Sequence, residues 1–356
     1  MKKLLALVMI ATAAFAGERD MIFPEADWIE ASPESQGVDP EGLARAMRTL
    51  EQICEDHPDG TPHCGTTRTV VVRRGRLIWK GSDIDAVQPV YSVTKSVTSS
   101  AMGLLVDDGR CSPSTRAAEI YPPLQEHYPR AALGHFANLT SGFSIARGEP
   151  LEILPPDFPP GAAFHYNGQG HLLSFLLQRR AGEPLPELWR RRIARPIGIP
   201  DDAWRWPAVG ELEGEAVFGG ASGLEISARQ IARFGHLYLN RGLWNGARIL
   251  SENWVALSTA PQVAPHTPLH QRPDIWYHVL PGRYGYMWWT NGIGADGKRF
   301  WENAPAGTFF AQGNNNNYCI VVPEWQMVLV HLDRGRASSL SAYDRVFAEL
   351  RAALRD

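Results

Sequence analysis

Tyr91-Ser92-Val93-Thr94-Lys95-Ser96 holds the only Ser-x-x-Lys in the 356-residue chain. Residues three apart on a helix share a face, so this spacing can bring the Ser92 hydroxyl to the Lys95 amine. A serine hydroxyl is a poor nucleophile at neutral pH and needs an adjacent base. A lysine supplies one only where desolvation or a nearby positive charge lowers its pKa and populates the free amine. The first turn of a helix adds unpaired N–H groups and partial positive charge, both suited to a developing oxyanion. The chemistry on offer is acyl transfer through a serine ester. Ser-x-x-Lys alone is common, and a surface helix capped by Ser92 fits it equally well. Its setting makes the difference, because the motif opens a long apolar helix directly after a hairpin and a short loop.

Other chemistry-bearing residues are weaker. Ser141, in Leu139-Thr140-Ser141-Gly142, reads as a turn former. Ser222 stands in Gly219-Gly220-Ala221-Ser222-Gly223, but the Gly-x-Ser-x-Gly elbow needs a glycine where the chain has Leu224. His135, His165 and His171 invite a Ser–His–Asp triad, yet none sits in a recognisable triad context. There is no CxxC and no HExxH, so no metal or organic cofactor is implied. Trp276, Trp288, Trp289 and Trp301 read as core, with an apolar substrate wall as the alternative.

The elements that must position Ser92 and Lys95 follow from periodicity. Helical spacing runs over Leu43 to Cys54, Ser92 to Val106, His171 to Ala181, Ser227 to Leu239 with Ser227 as N-cap, and Leu340 to Leu354. Thr69 to Val72, the turn Arg74-Gly75-Arg76 and Leu77 to Trp79 read as a β-hairpin. Thr308 to Phe310, Tyr318 to Val322 and Met327 to Leu332 are short strands, and the Pro-rich stretch 150–161 is a long loop. Strands at both ends with helices between predict one antiparallel sheet built from the two termini, flanked by helices. A helical lobe is inserted into it, with a cleft between the two: an α/β (α+β) architecture.

Composition is ordinary for a globular chain, with 44% hydrophobic and 21% charged residues. A net charge of −3 gives no field for nucleic acid or an acidic membrane surface. The cluster Arg190, Arg191, Arg192 and Arg195 reads as a solvated helix face. Lys2 and Lys3, an apolar stretch from Leu4 to Phe15 and Ala14-Phe15-Ala16 read as a signal peptide over residues 1–16, cut after Ala16. Residues 17–29 are then an extension and 30–356 one domain, periplasmic or secreted, with no stable membrane insertion expected after cleavage. In that oxidising setting Cys54 and Cys64 are candidate disulfide partners, whereas Cys111 and Cys319 fit buried free thiols equally well.

Six stretches in order resemble the serine hydrolases of the class C β-lactamase and DD-peptidase-like family, which includes esterases and 6-aminohexanoate-dimer hydrolases. They are YSVTKSVTSSAMGLLVDDG (91–109), LTSGF (139–143), PGAAFHYNGQGHLLSFLLQRRAG (160–182), GGASGLEISARQIARFGHLYLNRGLWNGARILSENWV (219–255), RYGYMWW (283–289) and FFAQGNNNNYCIVVPEWQMVLV (309–330). The resemblance covers about residues 30 to 355 and implies the β-lactamase/transpeptidase-like fold. It implies that Ser92 is the nucleophile and that Lys95 and Tyr166 handle protons. It also places the oxyanion hole at the backbone N–H groups of Ser92 and Asn314, and the substrate against Asn167, Gln312 and Gly313.

Two departures bear on substrate. Tyr166-Asn167-Gly168 has glycine where the family has asparagine, with Asn167 one place early. Ala311-Gln312-Gly313 replaces Lys-Thr-Gly or His-x-Gly, which removes a charge-assisted bond worth about 1.5–3 kcal/mol to a substrate carboxylate. The expected substrate is therefore a small neutral ester or amide. The alternatives are a β-lactam or cell-wall peptide and, from another class, a catalytically silent binding protein of the same fold.

Overall fold

The computed structural model describes residues 21–55, 65–144, 151–270, 281–333 and 342–355. The signal segment, the Cys54–Cys64 pairing and Trp276 lie outside what it describes. Seven strands form the main sheet: β1 (Ile29–Glu30), β2 (Thr69–Arg73), β3 (Arg76–Lys80), β4 (Trp289–Thr290), β5 (Phe309–Gly313), β6 (Asn317–Val322) and β7 (Met327–His331). Their spatial order is β1-β3-β2-β7-β6-β5-β4, so the first hairpin pairs directly with the last strand. All pairings are antiparallel except β1 with β3, which is parallel.

The hairpin turns on Arg74 and Gly75, both at positive φ, the geometry whose twist matches that of the flanking strands. β2, β6 and β7 are buried along their whole length, and TVVVR, NYCIVV and MVLVH are correspondingly β-branched and continuous rather than alternating.

Five longer helices complete the frame: α1 (Pro40–Glu55), α2 (Thr94–Asp107), α3 (Gly170–Ala181), α4 (Ala228–Leu239) and α5 (Ala342–Ala353). α1 and α5 pack together, and Tyr343 and Phe347 of α5 meet Tyr318 and Trp301 by ring contact. α4 covers the opposite face of β2, β6 and β7. α2 and α3 form the centre of the inserted lobe. α2 is buried from Thr94 through Leu105, so its five serines and threonines over 94–100 must find partners inside the protein. Ser96 donates to the Met287 carbonyl at 2.8 Å, Thr98 to Gly220 at 3.0 Å and Ser100 to Val97 at 2.6 Å. The first two tie the helix to two separate loops, and the third stays within the helix.

Three details differ from the sequence reading. Ser92 does not begin an α-helix but lies in a 3-10 turn, Tyr91–Val93, with α2 starting at Thr94. Ser227 occupies the N-cap of α4 without making a side-chain capping bond. The domain reaches further toward the N-terminus than residue 30. Ile22 donates to Arg74, Trp28 is core, and Arg233 of α4 donates to the carbonyls of Pro24, Glu25 and Ala26.

The arginine cluster behaves as a surface: Arg190, Arg191, Arg192 and Arg195 pair with Glu187, Glu183, Asp108 and Asp201. Cys111 and Cys319 are buried free thiols, their pKa values pushed up by burial to about 11 and about 12, which makes them poor nucleophiles.

Candidate active site

Ser92, Lys95 and Tyr166 come together where α2 meets the end of β5. Tyr91 and Ser92 sit on a tight turn with Tyr91 at φ 48°, a left-handed conformation unusual for a tyrosine and held by its neighbours. The Thr94 hydroxyl donates to the Tyr91 carbonyl at 2.6 Å and accepts from Leu224 N–H at 3.1 Å. The Asn315 amide donates to the Tyr91 hydroxyl at 3.2 Å, tying the turn to the β5–β6 loop. Gly313 lies against the same turn. A Cβ there would stand 2.1 Å from the Val90 carbonyl oxygen and 3.1 Å from Ser92 nitrogen, so only glycine permits this approach. Asn315 and Asn316 carry the loop at φ 60° and 56°, which asparagine tolerates better than most residues.

One turn into the helix region, Lys95 Nζ stands 3.1 Å from Ser92 Oγ and donates to the Ala221 carbonyl at 3.0 Å. The amine also lies 4.7 Å from the centre of the Tyr166 ring. Lys95 is 4% exposed with no carboxylate beside it, and burial brings its pKa down from 10.5 to about 7. Tyr166 moves the other way: burial pushes its phenol up to about 12, opposed in part by hydrogen bonds with Ser92 and Trp289. At neutral pH the site therefore combines an amine near half-titration with a firmly protonated phenol, both reaching one serine.

Trp289 stacks on the Tyr166 ring at 5.2 Å and 27°, and Tyr284 meets both edge-on. His171, at the start of α3, is held neutral, first by burial and then by the nearby Lys95 charge, with its pKa lowered to about 4.

The remaining expected residues separate. Asn314 sits in the exposed turn immediately after Gly313, the residue that abuts Ser92. Asn167 is taken up by its own loop. Its amide nitrogen donates to the Phe143 carbonyl at 3.0 Å and its oxygen accepts from Gln169 N–H at 2.9 Å, so the amide braces the Tyr166 segment rather than Lys95. Gln312 pairs across the ladder with Tyr318 and hydrogen-bonds its phenol, while Ala311 pairs with Cys319 on the α4 face. The Gln312 amide is thus engaged on the side of the strand away from Ala311.

Ser141 bonds Gln169 and accepts from Phe143 N–H, as a turn former does. His135 accepts from Ala132 N–H at 3.0 Å, and neither His135, His165 nor His171 bonds Ser92. Trp288 and Trp301 are core, packed on Tyr238 and Phe347. Sequence reasoning missed the Ala221 carbonyl, the Asn315–Tyr91 bond and the Trp289–Tyr166 stack. The GGASG landmark was visible, but a backbone acceptor carries no residue identity that would have flagged it.

Comparison with known proteins bears on the fold and the family. The chain is 25% identical over 308 residues to penicillin-binding protein 4 of Amycolatopsis lactamdurans, covering 75% of this chain and 76% of that one. The crystal structure of a penicillin-binding protein homologue from Caulobacter crescentus superposes with a TM-score of 0.66 at 16% identity, covering 89% of this chain and 99% of the other. A family VIII carboxylesterase superposes with a TM-score of 0.66 at 15% identity, covering 92% and 99%. These likenesses place the fold as β-lactamase/transpeptidase-like. The family model for beta-lactamase matches residues 55–348, a span holding every element that builds the Ser92 site, and the chain belongs to that family of serine hydrolases.

Proposed function

We propose that the protein is an exported serine hydrolase that cleaves a small, neutral ester or amide through an acyl-enzyme on Ser92. The observation that carries this reading is the 3.1 Å contact between Ser92 Oγ and a Lys95 amine whose pKa lies at about 7. The neutral amine accepts the Ser92 proton as Oγ bonds to the substrate carbonyl carbon. The carbonyl oxygen becomes an oxyanion facing the N–H groups of Ser92 and Asn314, donors whose loss typically costs about 10²–10³ in rate. Tyr166, protonated up to about 12, passes a proton to the departing alcohol or amine as the C–O or C–N bond breaks, and regains one from the Lys95 ammonium. Water then repeats the sequence on the serine ester and returns Ser92 with its proton.

Ala311 argues for neutral substrates. A small apolar side chain, 1% exposed, stands where the family resemblance puts a cation, which leaves a substrate carboxylate no partner from that position.

The test is a fluorophosphonate probe, read by intact mass and peptide mapping on the signal-free chain and on Ser92→Ala. Stoichiometric labelling at Ser92, absent in the variant, is the expected result. A folded wild-type protein that takes up no label sinks the mechanism and favours a silent binding protein. Rates on nitrophenyl esters, short amides and a chromogenic cephalosporin then choose among substrates, with esters expected fastest and the cephalosporin slowest.

A further inference from the structure

Beside Tyr166, but outside the Ser92 chemistry, two side chains of one loop and a third from more than a hundred residues away converge. One ligand-type atom from each of Asp157, His165 and His270 lies within 4.8 Å of the other two. Asp157 Oδ2 stands 3.8 Å from His165 Nδ1 and 3.8 Å from His270 Nε2. All three side chains are partly solvent-exposed, so an ion has an entry path.

The backbones carrying them are fixed independently of any ion. Phe164 and Leu269 form a β-bridge, with Phe164 N–H donating to Pro268 and His270 N–H to Phe164, each at 2.8 Å. His165 N–H donates to Leu139 at 2.9 Å, and Asp157 N–H to Gly142 at 2.9 Å. Phe158 packs its ring on His270 at 5.0 Å. A surface ion pair of one aspartate with two histidines gains little and asks for no such pinning.

We propose that Asp157, His165 and His270 bind one divalent transition cation of the zinc class. Two imidazoles and a carboxylate are a standard three-ligand set for such ions, and the open fourth position suits water. Tetrahedral zinc with bonds of about 2.0–2.2 Å places its donors about 3.3 Å apart, so each pair around Asp157 need close by only about 0.5 Å. His165 Nδ1 gives up one weak neighbour in doing so, the Asn167 amide at 3.3 Å, which keeps its bond to Phe143. Hard cations are excluded by the imidazoles, since calcium and magnesium take oxygen ligands. The donors stand at positions 157, 165 and 270, a spacing no zinc motif contains, so the pattern is invisible along the sequence. A bound ion would cross-link two loops, that of Asp157 and His165 and that of His270, one residue away from Tyr166.

The test is calorimetric titration of chelator-treated, tag-free protein with Zn²⁺, repeated on Asp157→Asn and His270→Ala. His165 is spared because it adjoins Tyr166. The expected result is one equivalent bound with a dissociation constant on the order of micromolar. Each substitution should weaken it by more than about tenfold, and Ca²⁺ and Mg²⁺ should give no heat. Ser92→Ala binds as the wild type does, so loss of the hydrolase reading and loss of the metal reading are separate outcomes. Both surface variants should match the metal-free wild type in melting temperature, and only the wild type should gain melting temperature with Zn²⁺. Absence of saturable binding in the wild type, or unchanged affinity in both variants, overturns the proposal.

Discussion

Two of the buried cations, in two regions of the protein, are used in opposite ways. In the inserted lobe, Lys95 meets one carbonyl, one hydroxyl and an aromatic face. Behind the sheet, Arg233 is 1% exposed and donates to four carbonyls, those of Pro24, Glu25, Ala26 and Ile197. Burial lowers both pKa values, Lys95 to about 7 and Arg233 to about 10. The arginine therefore stays charged at neutral pH and serves as a fixed staple between α4 and the N-terminal segment. Among the described residues no carboxylate pairs with the lysine, so its desolvation is left uncompensated and its proton becomes exchangeable. Burial lowers both, but the guanidinium starts at 12.5 against 10.5 for the amine and has the Asp27 charge in its favour, and that separates the structural cation from the reactive one here.

Substituting each cation by an isosteric apolar residue should break the molecule in different ways. Lys95→Met should lower kcat/KM by about 10²–10⁴ while leaving the melting temperature equal or higher, because an uncompensated buried charge is removed. A collapse in stability with the rate intact would reverse the assignment. Arg233→Met should take the guanidinium donor from four carbonyls and destabilise the fold by roughly 2–5 kcal/mol, with kcat per folded molecule unchanged. Denaturant unfolding beside active-site titration separates the two quantities.

The pH–rate profile sharpens the contrast. With the neutral amine as the proposed base, kcat/KM should climb about tenfold per pH unit below about 7 and level off above it, in the wild type and in Arg233→Met alike. A profile flat through pH 5 and 6 would mean that Lys95 does not titrate as the base. The smallest effect is on stability. The folded amine has its pKa below the unfolded value of 10.5, so folding is penalised in full below about pH 7 and progressively less up to 10.5. The melting-temperature advantage of Lys95→Met over wild type should shrink across that window.

Much of this was readable from residue types. Ser92 and Lys95 announced themselves by spacing, the hairpin by Arg74-Gly75, and the strands around Tyr318 and Val328 by their β-branched runs. The unread parts share a cause. Ala221 acts through its carbonyl, Asn315 and Tyr91 are partners across 224 positions, and Gln312 was assigned by its place in a strand without knowing which face it occupies. Helix onset moved from Ser92 to Thr94 because the turn is held from outside, by Leu224 and Asn315, rather than by local propensity.

The pairing of β2 with β7 also governs when the protein becomes an enzyme. Residues 69–73 wait for residues 327–331, and the turn bearing Ser92 waits for Gly313. A chain emerging from the ribosome carries Ser92, Lys95 and Tyr166 long before the strand that seats them exists. Such sequence-distant closure is slow, and activity is withheld until residues 327–331 have arrived.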